Sequence, residues 1–84
     1  MNDKTNPLVT NLDKLHTTPL GITRIKKNLY LETDDIVEWC RKKTESADDI
    51  VRKGKNWYVQ AGDVIITVNA HSYTIITAHK RKRG

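Results

Sequence analysis

The three histidines of this 84-residue chain are its most chemically suggestive residues. His16 precedes the pair Thr17–Thr18. His71 and His79 lie in the closing stretch VNAHSYTIITAHKRKRG, where Thr77 stands two residues before His79. Metal-independent RNA cleavage needs little more than such groups. A base takes the 2′-hydroxyl proton, an acid protonates the leaving oxygen, and histidine performs both steps near neutral pH. Cations and hydroxyls stabilise the charged phosphorane. In such a site His16 and His79 share the proton transfers, and Lys53 and Thr77 stabilise the phosphorane. Each residue also has a plainer role. His16 near a helix C-terminus can meet free carbonyls, His71 suits an exposed turn, and Thr77 is a good strand former. His79 marks where the last strand meets solvent. Catalysis requires that they converge in space.

A second pattern points to binding rather than cleavage. In KNWYV, Trp57 and Tyr58 fall on opposite sides of a strand. One packs in the core, and an outward Tyr58, flanked by Lys53 and Lys55, can stack on a nucleobase. Packing or a partner surface is the commoner use of such a ring. The tail residues Lys80, Arg81, Lys82 and Arg83 carry four of the five net positive charges, and the remaining body carries +1. A short basic tail holds phosphates through salt-sensitive contacts, or is simply a solvated end.

Other chemistries find little purchase. No phosphate-binding glycine loop, nucleophile elbow or His-Glu-x-x-His motif occurs. One cysteine and three scattered histidines match no zinc spacing, so neither a metal nor a cofactor is expected. Asp34 and Asp35 fit the acidic first turn of a helix better than an acid–base pair. The chain has no run long enough to span a membrane and no apolar signal core at MNDKTNP. Cys40 has no internal disulfide partner. Together these favour a cytoplasmic protein.

Eighty-four residues make one domain, 1–84, which buries about 60–65% of its unfolded surface. Residues 1–6 are polar and read as a mobile N-terminus, and 80–84 as a basic tail. Asn6–Pro7 and Thr18–Pro19 are cap-then-proline starts. With Leu8, Val9, Leu12 and Leu15, then Ile22, Ile25 and Leu29, they predict helices over 7–16 and 19–29. Thr33 as cap and Arg41, Lys42 and Lys43 at the far end predict a third over 34–45. From residue 50 the period changes to two, giving strands at 50–53, 56–61, 63–69 and 72–79. Their short connections, Gly54–Lys55, Ala61–Gly62 and Ala70–His71, make antiparallel hairpins. The expected fold is α+β: three N-terminal helices on one face of a four-stranded antiparallel meander.

These turn centres also assign faces. Trp57, Val59, Val64, Ile66, Val68, Tyr73 and Ile75 form the core side. Val51, Lys53, Tyr58, Gln60, Ile65, Thr67, Thr74, Ile76 and Ala78 form an open side. Thr77 and His79 then fall on the core side, unless a one-residue bulge swaps them.

The segments NLDKLHTTPLGITRIKKNL, DDIVEWC, RKGKNWYV and ITVNAHSYTIITAHK resemble, over residues 8–80, a family of small uncharacterised bacterial proteins classed as a domain of unknown function. That resemblance implies no activity. More distantly, the order of helices before sheet and the strand YTIITAH resemble the barnase–EndoU–colicin–RelE type of ribonuclease. That resemblance implies metal-independent RNA cleavage by His16, Thr77 and His79, with Lys53 as the cation. The strand region holds no glutamate, so a glutamate–histidine acid–base pair is not implied. The sequence thus leaves an RNA-directed endoribonuclease, a non-catalytic module binding RNA or a protein, and a small oligomeric structural protein. The partners in view are RNA, a protein inhibitor or a second copy of the chain.

Overall fold

The computed structural model describes residues 6–33 and 35–81. The elements run α1 (Pro7–Thr10), a 3-10 turn (Leu12–Lys14), α2 (Pro19–Leu29) and α3 (Ile36–Glu45). Strands β1 (Asp49–Lys53), β2 (Asn56–Ala61), β3 (Val64–Asn69) and β4 (Ile75–Lys80) follow. The strands form one antiparallel sheet in the order β1-β2-β3-β4. This is the expected α+β meander.

The cap-and-proline starts operate as expected. Asn6 Oδ1 accepts from Leu8 N at 2.9 Å and Thr18 Oγ1 from Gly21 N at 3.0 Å. The first helix is shorter than the predicted 7–16. At Asn11, the side-chain amide donates to Pro7 O at 2.8 Å, while Thr10 Oγ1 donates to the same carbonyl at 3.1 Å. Side chains thereby compete with the helical ladder, and the chain tightens into the 3-10 turn. Leu15, His16 and Thr17 are therefore not helical. Helix α3 begins later than predicted, because Asp35 rather than Thr33 is its cap. Asp35 Oδ1 accepts from Glu38 N at 3.1 Å. Asp34 lies outside the described residues.

Leu8, Leu15, Ile25, Leu29, Ile36 and Cys40 pack onto Trp57, Val59, Ile66, Val68 and Ile75 of the sheet. Arg41 Nε donates to Leu12 O at 3.0 Å, which fixes α3 to the 3-10 turn. Gly21 permits a close approach: a Cβ there would collide with Thr17 Oγ1, which donates to Ile75 O at 2.8 Å. Burial pushes the Cys40 thiol up to about 12 from 9.0. A thiol raised on folding adds stability that is complete below the unfolded value, near pH 9, and lost as pH rises toward 12. Native protein at pH 8 is expected to resist a thiol-specific chromophoric disulfide, and urea-unfolded protein to react at least a hundredfold faster. Equal rates would contradict the burial.

Two register details decide the faces. The β2–β3 turn is centred on Gly62–Asp63, not Ala61–Gly62, with Gly62 at φ 63. Val59 therefore pairs with Ile66 and Trp57 with Val68. The shift is two residues, so every side chain keeps its predicted face. On β4 the shift is odd. Val68 pairs with Ile75 but Thr67 pairs with Thr77, leaving Ile76 as the extra residue of a bulge. Ala78 thus lies opposite Ile66 and is fully buried, while Thr77 and His79 move to the open face. The assignments of Ala78 to the open side and of Thr77 and His79 to the core side are corrected accordingly. Strand β4 also starts at Ile75 rather than 72. Asn69 Oδ1 accepts from His71 N, Ser72 N and Ser72 Oγ at 2.9, 3.0 and 3.2 Å, which holds 70–73 as a turn. Tyr73 leaves it at φ 59 with its ring 5.4 Å from that of Trp57.

Candidate functional site: the open face of the sheet

Three cross-strand rows make up the uncovered face. Asp49, Gln60, Ile65 and His79 form the first, and Val51, Tyr58, Thr67 and Thr77 the second. Lys53, Asn56 and Asn69 form the third. Alternation along each strand puts their side chains on the side away from the helices. Val51, Lys53, Tyr58 and Gln60 line an open groove of about 440 Å³. Tyr58 forms its aromatic wall and Lys53 its cation. Thr67 carries a buried hydroxyl residue into the centre of the face.

Thr77 is held from the strand edge. Asn28 Nδ2, from α2, lies 3.4 Å from Thr77 Oγ1 and donates to Ala78 O at 3.2 Å. Nothing in the sequence singled out Asn28, which reads as one more polar residue on an amphipathic helix. Arg81 extends the ladder by donating its backbone N–H to Asp63 O at 2.6 Å and alternates to the side of His79. Lys80 pairs with Val64 and so shares the helix side. Lys55 is exposed in the β1–β2 turn, where its carbonyl accepts from Ala70 N at 2.8 Å. Lys82 and Arg83 lie outside the described residues.

His16 is elsewhere. Its backbone bridges the entrance of β4: His16 N donates to Tyr73 O at 3.3 Å and Ile75 N to His16 O at 2.7 Å. Its ring is engaged at both nitrogens, with Nδ1 2.9 Å from Lys14 O and Nε2 3.0 Å from Thr74 Oγ1. The carbonyl can only accept, so Nδ1 carries a proton, and in the neutral ring Thr74 donates to Nε2. His79 is five residues further along β4 than Thr74. At about 3.3 Å per residue that separates the two histidines by roughly 16 Å. The geometry therefore does not bring His16 and His79 together for shared proton transfer. Lys53 and His79, on opposite edge strands and opposite ends, are about 19 Å apart by strand spacing and rise. What the face does assemble is a plane of one tyrosine, hydroxyls, amides and flanking cations.

Among the described residues, no helix is long and apolar enough to cross a membrane, and no cluster of three metal-ligating side chains occurs. Comparison with curated proteins finds no match, nor does comparison with solved structures, so the ribonuclease-type resemblance gains no support there. A family model does match, over residues 9–79. The chain belongs to that family, DUF3781, described as proteins of unknown function.

Proposed function

We propose that this protein binds single-stranded RNA across the open face of its sheet, as a non-catalytic module. The observation that carries this reading is the position of Tyr58. It lines a groove with Lys53 on a face that no helix among the described residues covers. A flat, half-exposed ring beside a cation offers a base its π-face and a phosphate its counter-charge. Thr67 and Thr77 continue the Tyr58 row, and Arg81 lies beyond His79. A few nucleotides running diagonally from Lys53 toward His79 meet Tyr58, Thr77 and Arg81 in turn. The separation of His16 from His79 favours binding over the two-histidine cleavage scheme.

The test is fluorescence anisotropy with a labelled oligouridylate at several salt concentrations, in EDTA. Phosphate contacts by Lys53, Lys55 and Arg81 predict a log–log salt slope of about −2, with the RNA recovered intact. Absence of binding at low salt would refute the reading. Cleavage to 2′,3′-cyclic phosphate ends would instead overturn its non-catalytic part.

A further inference from the structure

The two edges of the sheet are treated differently. The β4 edge is closed by His16, Thr17 and Asn28, whose donors and acceptors meet Tyr73, Ile75 and Ala78. Among the described residues the β1 edge has no such cover: four of its five residues are exposed, and Val51 is 41% exposed. The tight turn at Gly54–Lys55 makes Lys53 and Asn56 a hydrogen-bonded pair. Backbone groups of Lys53, Val51 and Asp49 therefore point to β2, and those of Ile50 and Arg52 point outward. Consistent with this, Ile50 N finds no β2 acceptor and donates instead to Asp49 Oδ1 at 3.0 Å, an exposed local bond that pairing of the edge exchanges for one to the second copy.

The exposed edge reads Asp-Ile-Val-Arg-Lys. Antiparallel pairing of this edge with itself about Val51 is self-complementary. Val51 meets Val51 of the second copy, Ile50 exchanges backbone hydrogen bonds with Arg52, and Asp49 lies opposite Lys53 on the open face. Opposite charges directly across a non-hydrogen-bonded pair attract, and like charges repel. Other registers are poorer. Moving the pairing toward the turn puts Arg52 opposite Arg52. Moving it the other way brings in Asp48, whose N–H already donates to Gln60 O and whose Oδ2 accepts from Gly62 N.

We infer that the β1 edge is a docking surface for a second copy of this chain, forming a two-fold dimer with one continuous sheet through paired Asp49 and Lys53. The symmetry is isologous, so each charge pair occurs twice. Both open faces lie on the same side of the joined sheet, and the two grooves walled by Val51 abut at the two-fold. The inference does not depend on RNA, since the pairing is between copies of the chain.

Sedimentation equilibrium of the RNA-free protein, from about 10 μM to about 1 mM, reads the dimer as a rise of the average mass above 9.7 kDa. Asp49→Lys and Lys53→Asp are each expected to weaken association at least tenfold. The double exchange D49K/K53D is expected to restore it to within about threefold of the original. Arg52→Pro is expected to abolish it while far-UV circular dichroism stays unchanged, because the lost N–H points out of the monomer's own ladder. A mass fixed at 9.7 kDa across the range would overturn the inference. So would single exchanges without effect, or a double exchange that fails to restore association in folded protein.

Discussion

Ala78→Asp is expected to unfold the domain, while Thr77→Asp, one residue earlier, leaves it folded. Ala78 is fully buried opposite Ile66. A carboxylate there has no cation within its own row and no access to solvent. Burying an unpaired charge costs several kcal/mol, against a total stability of roughly 4–13 kcal/mol for a domain of this size. Thr77 faces the open side, and its loss removes one 3.4 Å contact from Asn28. That is expected to cost about 1 kcal/mol or less. Urea denaturation followed by circular dichroism separates the two outcomes. Tolerance at 78 with collapse at 77 would mean that the bulge at Ile76 does not exist, and would return His79 to the helix side.

The second large effect concerns recognition. Tyr58→Ala is expected to weaken oligouridylate binding by about 1–3 kcal/mol, roughly five- to 150-fold, as loss of a base-stacking aromatic does elsewhere. Tyr58 has Val51 and Thr67 as its cross-strand neighbours and only partial exposure, so the ring is already oriented before RNA arrives. Tyr30 provides the control. It is 86% exposed at the C-cap of α2, in a left-handed conformation at φ 53 that asparagine also adopts. Tyr30→Asn is expected to leave affinity unchanged, as is His16→Ala. Anisotropy titrations of the three variants read the result. A loss at Tyr30 equal to that at Tyr58 would reduce the aromatic contribution to nonspecific surface contact.

Much of this architecture was legible in local chemistry. Asn6–Pro7 and Thr18–Pro19 announced two helices, and the change of period after residue 50 announced the meander. Lys53 and Tyr58 were placed on the open face correctly because the Gly54–Lys55 turn falls where expected and the β2–β3 turn is displaced by two residues, which preserves parity. Most of the parts that escaped depend on long-range contacts. The bulge at Ile76 leaves no mark in a run as uniformly β-prone as YTIITAH. It is specified by what must be buried: Ala78 fits under the helices opposite Ile66, and His79 does not. The shortened first helix follows from Asn11, whose side chain competes for Pro7 O. The role of His16 as a clip on Thr74 joins residues 58 apart in sequence, which no spacing rule reports. The pairing of His16 with His79 for shared proton transfer required a fold-level proximity of the same kind, and the length of β4 sets the two rings roughly 16 Å apart.

The most direct test of the account is an amide chemical-shift titration of labelled protein with oligouridylate at low salt. Shifts are expected to cluster on Val51, Lys53, Tyr58, Gln60, Thr67 and Thr77, with α2 and α3 unaffected beyond Asn28. Saturable shifts confined to the helices, or none at all, would contradict it.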